Sequence, residues 1–120
     1  MTFIPAGALD LGRLPLFSLG RVVATPGALD LMKRTSTDFN VLLARHVTGD
    51  WGDCDPEDAN TNREALKHGA RVMSVYRLPV VEGERKESIE SLAQGPSDET
   101  VWLITEADRS VTTFLLPIEY

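Results

Sequence analysis

The residues in this sequence whose types and spacing can do chemistry fall in two places. The first is Arg45-His46-Val47-Thr48-Gly49-Asp50-Trp51-Gly52-Asp53, which sets a histidine, carboxylates and an indole around a glycine-punctuated turn. Histidine titrates near neutral pH and can accept and donate a proton within one reaction cycle. A helix ending near His46 would favour its imidazolium through the negative end of the helix dipole. Glycines flanking an aromatic let a backbone approach a ligand closely. Each group also has a plain reading: His46 as a core histidine with one hydrogen bond, and Trp51 as a core plug instead of a stacking surface for a base.

The second place is Thr105-Glu106-Ala107-Asp108-Arg109-Ser110-Val111-Thr112-Thr113, where hydroxyls and an arginine stand among Val, Leu, Ile and Phe. Strand alternation puts Arg109 and Thr113 on one face with Val111 and Leu115, and Ser110 and Thr112 on the other with Phe114 and Leu116. A hairpin facing only core and water would alternate cleanly, so the mixture fits a cleft. In such a cleft Arg109 can hold a phosphate and a threonine can donate to it. The competing reading is a surface ion pair for Arg109 and ordinary strand threonines.

Brought together, the two places suffice for metal-free RNA cleavage. His46 would transfer the proton, Arg109 would hold the pentavalent phosphate, and Thr112 or Thr113 would donate a hydroxyl. The substrate's own 2′-hydroxyl is the nucleophile, so no activated serine or cysteine is needed. Asp50, Trp51, Asn62 and Tyr76 are the expected substrate-side residues, and Asp50, Glu106 and Tyr76 compete for the second acid–base role.

Other chemistries fit less well. Asp50, Asp53 and Asp55 lack the spacing of a calcium loop, with its glycine at the sixth position and glutamate at the twelfth. His46 and His68 lack a zinc spacing, so neither metal nor cofactor is expected. The single cysteine, Cys54, excludes an intramolecular disulfide framework. Its aspartate neighbours are expected to raise its pKa and blunt it as a nucleophile.

The elements that must position these groups are legible in outline. Residues 1–15 read as an irregular lead-in, and Leu16 to Ala24 as a first strand with a bend at Gly20. Thr25-Pro26 starts a short helix that ends near Lys33-Arg34. Thr35, Ser36 and Thr37 offer caps for a second helix, with Asp38 three after Thr35 resembling a capping box. Phe39, Leu42, Leu43 and Val47 form its apolar stripe, His46 falls on that stripe, and Gly49 stops it. Asp55-Pro56 opens a third helix that runs to His68 and is ended by Gly69. Strands follow at Ala70 to Leu78, Val101 to Thr105 and Val111 to Leu116, the last two joined by a hairpin-length turn. Residues 82–100 form a polar excursion, read as a surface helix or flap. Helices first and strands last predict a single α+β domain over residues 1–120, with helices packed on a C-terminal antiparallel sheet.

A net charge of −6 argues against a protein that coats nucleic acid by electrostatics alone, and leaves room for a local basic pocket. No charged-then-apolar leader is present and no run is long enough to span a bilayer, so a cytoplasmic protein without membrane contact is expected.

The helix-end Ala44-Arg45-His46-Val47, followed by a terminal sheet with Ile104-Thr105 and Arg109-Ser110-Val111-Thr112-Thr113, resembles the barnase, EndoU, colicin and RelE-like small nucleases. That resemblance covers roughly Asp38 to Pro117. It implies an endoribonuclease of toxin or effector type, with His46 as acid or base, Arg109 as phosphate binder and Thr112 or Thr113 as the hydroxyl. A cognate inhibitor would be its partner. Such nucleases are often basic, whereas this chain is acidic. The segments His46 to Gly52 and Trp102 to Tyr120 also look like parts of small proteins carried on plasmids and mobile elements. Two other classes stand beside the enzyme. One is a small acidic binding or inhibitor protein engaging a basic partner through Asp50 to Asp58 and Glu82 to Glu90. The other is a homo-oligomer formed when Leu115 to Tyr120 adds to another subunit's sheet edge.

Overall fold

The structure, a computed structural model, describes residues 1–5, 14–79 and 100–120. In chain order the elements are β1 (Thr2–Phe3), β2 (Arg21–Ala24), α1 (Pro26–Arg34), α2 (Phe39–Val47), α3 (Pro56–His68), β3 (Val72–Arg77), β4 (Thr100–Thr105) and β5 (Val111–Leu115), then a 3-10 turn at Pro117–Glu119. The expected excursion lies outside the described residues, apart from Thr100, which opens β4; so does the lead-in between residues 6 and 13. Among the described residues no helix is long and apolar enough to cross a membrane.

Each helix starts where local chemistry supplies its missing acceptors. The Thr25 hydroxyl accepts from the Ala28 N–H at 3.2 Å, with Pro26 in the first turn of α1. The Asp55 carboxylate accepts from the Asp58 N–H at 2.8 Å, and Gly69 ends α3 in the left-handed region at φ 68°. The cap of α2 differs from expectation. Asp38 is the cap and accepts from the Asn40 N–H at 2.9 Å. Thr35 is instead the C-cap of α1, its hydroxyl donating to the Leu31 carbonyl at 2.8 Å, and it stands too far before Phe39 to meet the first N–H groups of α2.

The five strands form one sheet in the order β1-β2-β5-β4-β3. Most neighbours are antiparallel, but β2 and β5 are parallel, with Arg21 opposite Val111 and Ala24 opposite Phe114. The C-terminal strands β3, β4 and β5 are antiparallel as expected, and the parallel pairing of the N-terminal β2 with β5, reached after three intervening helices, makes the whole sheet mixed. The first strand is also shorter than expected. Residues 14–20 lie irregularly, and Gly20 turns at φ 64° with its Cα against the Ser110 and Arg109 carbonyls, leaving no room for a side chain. The C-terminal strand is not an edge. β5 is hydrogen-bonded on both sides, so the expected addition of Leu115 to Tyr120 to another subunit has no free backbone at β5.

Register sorts the strand residues cleanly onto two faces. Val22, Ala24, Tyr76, Val101, Leu103 and Phe114 point to the helices and pack with Ala28, Leu31, Met32, Leu42 and Leu43 in the main core. Trp51, Ala65 and Val72 form a smaller core beside it, joined by Phe17. The other face carries Phe3, Val23, Thr113, Ile104 and Met73 in one row and Leu115, Trp102 and Val75 in another. None of the clusters that bury α1, α2 and α3 draws on this second face.

Candidate functional site

Both sequence-selected segments approach the same region, but they do so inside the protein. His46, on the last turn of α2, is 0% exposed. Its Nδ1 lies 2.6 Å from the Ser74 hydroxyl on β3, and its Nε2 lies 2.9 Å from the Thr105 hydroxyl on β4. Thr105 is in turn 2.7 Å from the Thr112 hydroxyl on β5, which donates to the Leu19 carbonyl at 2.7 Å.

That last bond orders the whole chain of protons. A carbonyl only accepts, so Thr112 donates to Leu19 and must accept from Thr105. Thr105 has then used its one hydrogen and must accept from the His46 Nε2–H. The neutral imidazole is left with Nδ1 as an acceptor for the Ser74 hydroxyl. The tautomer is thus fixed by a carbonyl three hydrogen bonds away. Every lone pair and proton of the ring is committed.

Electrostatics agree with this neutral form. Burial, followed by the nearby positive charge of Arg109, pushes the His46 imidazole from 6.5 down to about 3. The helix-end preference for imidazolium is overridden, because a dipole at a helix terminus offsets much less than the desolvation of a buried cation. Phe17 and Trp51 meet the ring edge-on at 5.1 and 5.9 Å and complete the enclosure. His46 consequently has no proton or lone pair to offer a substrate arriving from solvent.

Arg109 sits in the β4–β5 turn with φ 60°. Its Nη1 donates to the Ala70 carbonyl at 2.7 Å and the Glu106 carbonyl at 3.1 Å, and its guanidinium lies 5.4 Å from the centre of the Phe17 ring. Phe17 therefore touches both Arg109 and His46, and Arg109 ties the hairpin turn to the start of β3. Thr112 and Thr113 are not interchangeable. Thr112 is 0% exposed in the histidine network, whereas Thr113 is on the opposite face beside Ile104 and Val23.

The expected substrate-side residues are structural in their contacts. Trp51 is buried and stacks on Phe17 at 6.3 Å, so it offers no surface to a base. Asp50 pairs with Arg45 at 2.7 Å, and its carbonyl accepts from the buried Tyr76 hydroxyl at 2.7 Å. Burial pushes the Tyr76 phenol up, and the Arg45 guanidinium lies 4.6 Å from the ring centre. The Asn62 amide acts as a surrogate strand. It accepts from the Met73 N–H at 2.9 Å and donates to the Met73 carbonyl at 2.6 Å. Trp51 and Asp53 extend that seal, with the Val75 N–H donating to Trp51 at 3.0 Å and the Asp53 N–H to Val75 at 2.6 Å. Gly52 makes this possible, because a Cβ there would collide with the Val75 carbonyl and the Tyr76 ring.

Cys54 is half-buried against the Met73 carbonyl, and burial, then Asp58, raises its thiol. Among the described residues no three of His, Cys, Asp and Glu gather in a way that could hold a metal ion.

A different surface gathers side chains that sequence reasoning did not connect. On the face of the sheet away from the helices, Arg21 lies 5.9 Å from the Phe3 ring centre at one end. Arg71 lies 5.4 Å from the Tyr120 ring centre at the other, and Tyr120 packs edge-on to Trp102 at 5.5 Å. No outward-pointing residue of the described strands is Asp or Glu. Period-two alternation placed Trp102 opposite Leu103, which was the available signal. Joining it to Phe3, Arg21 and Tyr120 required the strand order. Comparison of the chain with protein-family models, with curated proteins and with solved structures found no match.

Proposed function

We propose that this protein binds RNA through the outer face of its sheet and does not cleave it. The carrying observation is the division of labour between faces. The helices bury one side, and the arginines and aromatics Arg21, Arg71, Phe3, Trp102 and Tyr120 lie on the other. A sheet presenting aromatic faces beside guanidinium groups offers stacking to bases and charge to phosphates. The overall charge of −6 is not carried by the outward-pointing residues of the described strands, none of which is Asp or Glu.

RNA cleavage at His46 is not retained in this reading, since the ring is sealed, neutral and bonded at both nitrogens. The test is fluorescence anisotropy with a labelled RNA oligonucleotide over a salt series, followed by gel analysis of the same RNA. Binding with intact RNA is expected, and log K should fall with log salt by about 0.7 per phosphate contacted. Cleaved RNA, or no binding even at low salt, overturns the proposal.

A further inference from the structure

The two arginine–aromatic pairs differ from a simple basic patch in how the cations are held. Arg34 and Arg45, on the helical side, are bonded to Asp30 and Asp50. Arg21 and Arg71 meet no carboxylate among the described residues; each lies against an aromatic ring, and Arg71 also donates to the Tyr120 hydroxyl at 2.6 Å. Phe3 and Tyr120 remain 58% and 65% exposed, so each ring keeps a face open to solvent beside its arginine.

A bare phosphate would use the guanidinium groups and leave these rings in water. A base with its phosphate would use both. Duplex RNA holds its bases inside the stack and shows a protein mainly its backbone and 2′-hydroxyls, so flat aromatics gain nothing from it. The spacing also fits a short strand. Phe3 on β1 and the Tyr120–Trp102 pair over β4 are three strand spacings apart, about 14 Å, which is about four stacked nucleotides at ~3.4 Å each.

We infer that the outer sheet face is a single-strand-specific site, in which Phe3 and Tyr120 stack on unpaired bases and Arg21 and Arg71 contact the adjoining phosphates. This rests on the RNA-binding reading above and adds the class of RNA and the means of recognition. Apolar neighbours Val23 and Val111 fill the floor between the two pairs.

The experiment titrates the full chain with three probes: an unpaired RNA oligonucleotide, the same sequence as a blunt duplex, and inorganic polyphosphate of similar charge. Anisotropy or competition gives affinity, and Trp102 quenching reports stacking, with the Trp102→Phe variant identifying its share of the signal. The expected result is binding of the single strand at least fivefold tighter than of the other two, with quenching. Phe3→Ala and Tyr120→Ala should each weaken it about fivefold or more, and Tyr120→Phe, which keeps the ring, should restore most of the affinity. Equal binding of all three probes, untouched by the alanine variants, overturns the single-strand inference while leaving RNA binding standing. No binding of any probe overturns both. Dimerisation lost in Phe3→Ala and Tyr120→Ala, with no RNA binding, also overturns both and assigns the face to a second copy of the chain. Circular dichroism of each variant establishes that it is folded.

Discussion

Lowering the pH from about 7.5 to about 5 is predicted to destabilise this protein by about 2 kcal/mol through His46 alone. In the unfolded chain the imidazole protonates near its ordinary 6.5, whereas in the folded protein burial and Arg109 hold it at about 3. Below pH 6.5 the unfolded state therefore binds a proton that the folded state refuses. Stability contributed by the neutral ring is fully present above 6.5 and is lost as pH falls towards 3. Half a unit of separation costs little, but at pH 5 the unfolded form is favoured by about 1.5 pH units of binding, each worth 1.36 kcal/mol, or about 2 kcal/mol. The proton-ordered network gives the same sign, since a proton on Nδ1 removes the acceptor for the Ser74 hydroxyl and breaks the ordered chain there. The assay is urea denaturation at several pH values for the wild type and for His46→Gln, an amide that does not titrate. Subtracting the two curves cancels the contributions of other groups. The difference should have a slope approaching one proton between pH 6 and 5. Parallel curves would refute the placement of His46 as a sealed, neutral group.

Phe17→Ala should open the roof of the network, costing about 2 kcal/mol and moving the His46 pKa upward from about 3, read from the ring proton shift by NMR. Asn62→Ala removes the acceptor of the Met73 N–H at the edge of β3 and leaves its carbonyl only the weak Cys54 thiol donor. A loss of about 1–3 kcal/mol in thermal or urea melts is expected, with fast hydrogen exchange at Met73. Gly52→Ala meets both a left-handed φ of 72° and the Val75 carbonyl, so it should cost more than about 1 kcal/mol and release the Trp51–Asp53 segment from β3, visible as Trp51 fluorescence shifting to the red.

The parts of this fold legible in the sequence were those set by neighbours in the chain. Thr25-Pro26, Asp55-Pro56 and Gly69 cap helices by bonds that span only a few residues, and each stands where its residue types indicate. Asp38 is the second cap because Thr35 closes α1 and α2 begins only at Phe39, a boundary that the run of Thr35, Ser36, Thr37 and Asp38 does not mark by residue type alone. The α+β class followed from the order of the patterns. The strand order did not, because the parallel pairing of β2 with β5 joins residues some ninety apart in the chain, and nothing in either strand names its neighbour.

The candidate site divides the same way. His46 was visible on an apolar stripe, but its exclusion from solvent depends on Phe17 and Trp51 arriving from elsewhere. One signal could have assigned it. Ser74 alternates with Val72 and Tyr76, and Thr105 with Leu103, so both hydroxyls point into the core and need a partner there. A histidine on the facing apolar stripe supplies both. Arg109 was expected to reach towards His46, and it does contribute its charge, but its donors are spent on backbone carbonyls.

The most direct test of the account compares single-stranded RNA affinity in Tyr120→Ala and His46→Gln by fluorescence anisotropy at fixed, low salt. RNA binding at the outer sheet face predicts a loss of about fivefold or more in Tyr120→Ala and wild-type affinity in folded His46→Gln, whose ring is buried in the interior. Unchanged affinity in Tyr120→Ala, with binding abolished by His46→Gln, would contradict it.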